Sequence, residues 1–201
     1  HLSIRRQRQM CIRDRPDVCP RGPLTLILAF WIAAAGQEFT ALDRYVQAPD
    51  VSFRYELVST VPGEGITTFV LDMVSQNWLT KAEVDRTEWR HWLTVIKPEK
   101  VTTPIGLLLI SGGSNGGKPP AGPNLILTAI ARQTGAVTAE LRMVPNQPLT
   151  FAGDGQPRRE DSLIAYTWDR YLRTGEEKWP ARLPMTKAAV RAMDAVTAFL
   201  K

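Results

Sequence analysis

Cysteine is nearly missing from this chain. Cys11 and Cys19 are the only two, and both lie in the first 22 residues. The rest of the sequence can form no disulfide, no cysteine zinc site and no thiol nucleophile. Histidine is as scarce: after His1 only His91 occurs. No His/Cys/carboxylate cluster at metal-ligand spacing accompanies it, so the residues point to no metal and no cofactor, and His91 reads as a structural or surface side chain. A membrane-length apolar run is absent as well. The uncharged stretch Leu24 to Ala35 has twelve residues, against about 20 needed to cross a bilayer. Finally, most of the chain lacks excess positive charge. The net charge is +5, but six arginines against two aspartates put +4 in residues 1–22 and leave +1 for the remainder. A near-neutral remainder carries no electrostatic footprint for nucleic acid.

What the first 36 residues do have is an order: arginines, then LTLILAFWIAAA, then Ala33-Ala34-Ala35-Gly36. A basic segment, a short apolar segment and a small-residue end make a secretory signal peptide. The expected localisation is therefore secreted or periplasmic, with no stable membrane span once residues 16–36 are removed. Residues 6–15, RQRQMCIRDR, resemble translated sequencing-adapter read-through, so 1–15 take no part in the fold reading. Residues 37–201 are the expected folded part.

Phe53 to Val61 is rich in strand formers. Pro62-Gly63-Glu64-Gly65 is a turn signal, and Ile66 to Met73 resumes as a strand, so an antiparallel hairpin is predicted. Residues 75–88 are polar, with a short helix over Lys81 to Asp85. Trp89 to Ile96 is a further strand. Ile105 to Ile110 is a continuous apolar run, as expected of a strand covered on both faces. Asn124 to Thr134 reads as a helix stopped by Gly135, Ala136 to Val144 as a strand and Arg159 to Arg173 as a helix. Thr186 reads as the cap of a last amphipathic helix reaching Leu200. The tryptophans at 78, 89, 92, 168 and 179 read as core or loop anchors. A hairpin followed by alternating strands and helices is an α/β protein whose sheet begins antiparallel and becomes mostly parallel.

The glycine cluster LLLISGGSNGGKPP, residues 107–120, carries the functional signal, and it fits three motifs. Gly112 to Lys118 is the body of a P-loop, but Pro119 and Pro120 replace the hydroxyl residue and break the helix such a loop needs. Gly112 to Gly116 is G-x-S-x-G, a nucleophile elbow with Ser114 at its centre. No histidine follows residue 91, so Ser114 has no downstream base. The third reading is an oxyanion or substrate-positioning loop. Here Gly112, Gly113, Ser114 and Asn115 offer backbone N–H groups with little side-chain obstruction. A tight glycine turn without function is the alternative to it.

Eight blocks resemble one family: ALDRYV (41–46), FRYELVSTVPGEG (53–65), FVLDMVSQNW (69–78), WRHWLTVIKP (89–98), LLLISGGSNGG (107–117), LRMVPNQPLTF (141–151), LIAYTWDRYLRTG (163–175) and WPARLPMTKAAVRAMDAVTAFL (179–200). They are similar to the PhoPQ-activated pathogenicity-related proteins and cover almost everything from residue 41 on. The resemblance implies an α/β-hydrolase-like fold, of which residues 37–201 are the N-terminal, incomplete part. It implies a serine nucleophile, an acid and a histidine beyond Lys201, so no catalytic residue falls in this chain and the chain alone is expected to be inactive. The substrate would be an ester or a peptide, and the family name fixes neither. A non-catalytic secreted binding or virulence-associated protein on the same scaffold is the other expectation.

Overall fold

Thr40 opens the first element. Its hydroxyl accepts the Asp43 N–H while the Asp43 carboxylate accepts the Thr40 N–H, a capping box that starts helix α1 (Ala41–Gln47). The computed structural model describes residues 38–201. The leader, its signal-peptide reading and the adapter-like segment lie outside the described residues. After α1 come strands β1 (Arg54–Gly63), β2 (Ile66–Asn77), β3 (Glu88–Pro98) and β4 (Leu107–Ile110). Helix α2 (Leu125–Thr134) and strand β5 (Thr138–Leu141) follow, then the short pair β6 (Leu149–Thr150) and β7 (Pro157–Arg158). Two helices, α3 (Glu160–Thr174) and α4 (Arg182–Phe199), finish the chain.

The five-stranded sheet has the order β1-β2-β3-β5-β4. Gly63 pairs with Ile66, so Glu64 and Gly65 form a two-residue hairpin turn, with Gly65 at φ +69°. β2 pairs antiparallel with β3, and β3 antiparallel with β5. Among the described residues only β4 and β5, joined through α2, run parallel. The α/β class and its leading hairpin are as expected. The described sheet is nevertheless mostly antiparallel, because β3 turns back against β5 before the single parallel crossover begins.

Side-chain alternation divides the sheet into two faces. One carries Leu71, Met73, Leu93, Val95, Ala139 and Leu141, against which α4 lays Ala188, Ala192 and Ala195. The alanines bring the helix axis close, and the Phe199 ring closes edge-on against Phe69 at 5.0 Å. On the other face α2 inserts Leu127 and Ala131 against Ile66 and Ile96. Asn124 caps α2 by accepting the N–H groups of Ile126 and Leu127, and Gly135 ends it in the left-handed conformation. A third cluster gathers Trp78, Trp89, Leu149, Phe151, Leu163 and Trp179 beside the sheet.

Four expectations need correction. Residues 81–85 are a turn rather than a helix, because Glu83 folds back onto Thr80 and Val84 makes a bridge to Phe151. β4 is not covered on both faces: among the described residues it lies at the sheet edge beside β5 alone, and Leu107, Leu109 and Ile110 are exposed. α4 begins at Arg182, not at Thr186, and Pro184 sits in its first turn, where a missing N–H costs no hydrogen bond. Trp168 is 42% exposed on α3, whereas Trp78, Trp89, Trp92 and Trp179 are buried.

A chain of buried polar groups crosses the molecule. The Tyr45 hydroxyl donates to Gln76 Oε1 at 3.0 Å, and Gln76 Nε2 donates to the Pro184 carbonyl and to Ser75 Oγ. Ser75 Oγ lies 2.9 Å from His91 Nε2, and His91 Nδ1 lies 3.2 Å from the Arg142 carbonyl. A carbonyl only accepts, so Nδ1 carries the proton and Nε2 accepts from Ser75. Burial pushes the His91 imidazole down to about 4, with hydrogen bonds to backbone opposing the shift. His91 is thus the structural residue its isolation in the sequence suggested.

Candidate functional site

The loop after β4 is tied down by its carbonyls and its side chains. The Ser111 N–H donates to the Leu141 carbonyl at 2.8 Å, which extends the β4–β5 ladder by one bond. In return Val144 donates to the Ser111 carbonyl and Met143 to the Gly112 carbonyl. The Ser111 hydroxyl donates to Glu140, which Arg142 also pairs at 3.0 Å. Farther along, the Asn115 N–H donates to the Gln147 carbonyl and its Nδ2 to the Pro148 carbonyl. The Trp92 indole N–H takes the Gly117 carbonyl at 2.8 Å.

With those bonds made, the N–H groups of Gly112, Gly113 and Ser114 have no acceptor among the described residues. Three consecutive amides, in an exposed loop at the carboxyl end of a strand, are held by a backbone whose Ser111 and Gly112 carbonyls accept from Val144 and Met143. Carboxyl ends of strands in α/β sheets are where ligands collect. Gly113 has φ +140°, and a Cβ there would stand 3.2 Å from Met143 Cγ, so this position both needs glycine and forbids bulk.

Of the four residues singled out from the sequence, Gly112, Gly113 and Ser114 share this amide row. The amide of Asn115 is spent on Gln147, and its role in the structure is to anchor the loop. The Ser114 hydroxyl accepts from Arg159 at 2.8 Å. Arg159 is no base, and both nitrogens of His91 are engaged elsewhere, so among the described residues no base is placed to activate Ser114 as a nucleophile. The P-loop reading also fails geometrically, since no helix follows Lys118 until α2 begins at Leu125. Sequence reading missed Arg159 and the Ser111–Glu140–Arg142 group. Glu140 is a charged residue in a short strand that is buried throughout, and a carboxylate among the strand-forming residues 136–144 is a signal that could have found it. Among the described residues no three His, Cys, Asp or Glu side chains gather as a metal-binding group, and no helix is long and apolar enough to cross a membrane.

Comparison with known proteins gives a match to the model of the PhoPQ-activated pathogenicity-related proteins over residues 42–201. The chain belongs to that family. The glycine loop, the Asn115 anchor and the Ser111–Glu140–Arg142 group all fall inside the matched PhoPQ-related region. A curated relative, autocrine proliferation repressor protein A of Dictyostelium discoideum, is 40% identical over 178 residues. The match takes in 88% of this chain and 36% of that protein, so the chain spans about a third of the relative's length. Two solved structures are similar at the level of overall layout. A Bacteroides fragilis protein provisionally named an acetyl xylan esterase gives a TM-score of 0.42 at 12% identity, over 77% of this chain and 40% of its own. The glucuronoyl esterase of Solibacter usitatus gives 0.43 at 15% identity, over 79% of this chain and 47% of its own.

Proposed function

We propose that this chain supplies the oxyanion side of a secreted serine-hydrolase-like protein acting on an ester or peptide. The nucleophile, its acid and its histidine would come from sequence beyond Lys201. The observation that carries this reading is the row of unengaged amides at Gly112, Gly113 and Ser114, fixed from behind by Leu141, Met143 and Val144. When an acyl carbon is attacked, its carbonyl oxygen gains charge. Rigid N–H donors aimed at that oxygen stabilise the tetrahedral state more than the ground state.

Two substitutions in the full-length protein test it. Ser114→Pro deletes the amide N–H, whereas Ser114→Ala deletes only the hydroxyl. We expect kcat to fall roughly 100- to 1,000-fold for the proline, about 3–4 kcal/mol of transition-state stabilisation, and to change little for the alanine. Equal activity in both would remove the amide row from the mechanism. Loss of activity in Ser114→Ala would restore Ser114 as nucleophile. Export is part of the same proposal: N-terminal sequencing of secreted protein should begin at Gly36 or Gln37, and an intact 24–35 segment in a soluble cytoplasmic form would count against it.

A second reading keeps the scaffold and drops the reaction. It is favoured by the 40% identity to a protein named for repressing proliferation. A fluorophosphonate probe separates the two readings, since only an activated serine in the full-length protein is labelled.

A further inference from the structure

A small cavity of about 70 Å³ opens where β3, the turn before it and the far end of the glycine loop meet. Arg86, Arg90, Trp92, Gly116 and Asn146 are among the residues that line it, and its lining includes no carboxylate. A space of this size admits a group of a few heavy atoms.

The two arginines differ. Arg90 has its charge paired: its guanidinium meets Asp72 through Nε and a terminal nitrogen and lies 5.4 Å over the Trp92 ring. Asn146 fixes its backbone on both sides, accepting the Arg90 N–H and donating to the Arg90 carbonyl, each at 2.9 Å. Arg90, Trp92 and Asn146 therefore form a rigid wall. Arg86 makes no ion pair and no hydrogen bond among the described residues, and the Gly116 N–H also lacks an acceptor there. The site has one uncompensated positive charge, one planar fork of donors and room for a small group. We infer that it binds a single carboxylate of a small organic acid. A guanidinium fork matches a carboxylate in both charge and geometry. Phosphate is tetrahedral and bulkier than a carboxylate, so the small space between Trp92, Gly116 and Asn146 favours the planar group. The site uses the opposite end of the loop from the amide row and requires no reaction, so it stands or falls independently of the hydrolase proposal.

The test is saturation-transfer NMR of acetate with the full-length protein at constant ionic strength. We expect a saturable signal on the acetate methyl. In Arg86→Ala the dissociation constant should rise at least about tenfold, the effect of losing one charge-assisted pair, with the melting temperature unchanged because Arg86 holds nothing else. Methyl acetate, the neutral ester, should give no saturable signal, and equimolar phosphate should not displace acetate. An acetate signal that grows without saturating overturns the inference. So does equal binding in Arg86→Ala, a saturable methyl acetate signal, or displacement by phosphate.

Discussion

Lowering the pH should weaken this fold well before its carboxylates titrate, and the cause is one imidazole. His91 is fully buried, accepts from Ser75 at Nε2 and donates to the Arg142 carbonyl at Nδ1. Protonation would place a positive charge in a site with no counter-charge and turn Nε2 from acceptor into donor. Its folded pKa is about 4, against 6.5 for the ordinary side chain. The unfolded chain therefore takes up the proton first. Stability should be level above pH 6.5, fall as the pH drops from 6.5 towards 4, and lose no more from this group below 4. At about 1.4 kcal/mol per pH unit the gap amounts to roughly 3 kcal/mol, a large share of a typical margin of about 5–15 kcal/mol. Urea unfolding followed by tryptophan fluorescence at pH 7.5, 6, 5 and 4.5 measures it. His91→Gln is the control. It should lower stability near neutral pH, because Ser75 or Arg142 loses a partner, but its dependence on pH between 6.5 and 4.5 should be nearly flat, so that the two curves converge towards the acidic end. A wild-type curve that is flat in that window, or a His91→Gln curve that falls as steeply, would refute the assignment.

Two further outcomes follow from particular contacts. Gly135→Ala should cost at least about 1 kcal/mol in urea unfolding, since φ is +65° and the new Cβ would collide with Thr102 Oγ1; unchanged stability would show that the α2 terminus relaxes freely. Leu109→Lys should reduce self-association of the chain in light scattering without lowering its urea midpoint, because Leu109 is 39% exposed on the open β4 edge, and exposed apolar edges pair with other chains. Persistent association in the charged variant would place the contact elsewhere.

The sequence was legible where local chemistry decides the structure. The Glu64–Gly65 turn, the Asn124 cap and the Gly135 and Gly175 stops lie where short-range rules put them, because each acts within four residues. It was less legible where partners far along the chain decide. The apolar run of β4 looked like a doubly covered strand, yet only its pairing with β5 determines what it faces. The strand expected over 136–144 shrinks to Thr138–Leu141, because Met143 turns to φ +64° to receive the glycine loop. The candidate site shows the same division. Glycines mark where amides are accessible, but which amides remain unengaged depends on the Leu141 and Gln147 carbonyls, and nothing in residues 107–120 predicts that. Arg159, more than forty residues away, reaches Ser114 only through the path of the chain.

The polar chain from Tyr45 to the Arg142 carbonyl has a mechanical meaning as well. The contact of α4 with the sheet is built largely of alanines, and flat contacts between small apolar groups resist sliding and rotation poorly. Hydrogen bonds are directional, and Gln76 holds three of them, one from α1, one to the first turn of α4 and one within the sheet. Gln76 thus works as a dowel that indexes two helices to the strands. The index runs on through Ser75 and His91 to the residue beside Met143, whose N–H carries the Gly112 carbonyl. The helical layer and the glycine loop are therefore registered to one another through one run of hydrogen bonds, and a loop at the end of β4 is indexed to helices at the far end of that run.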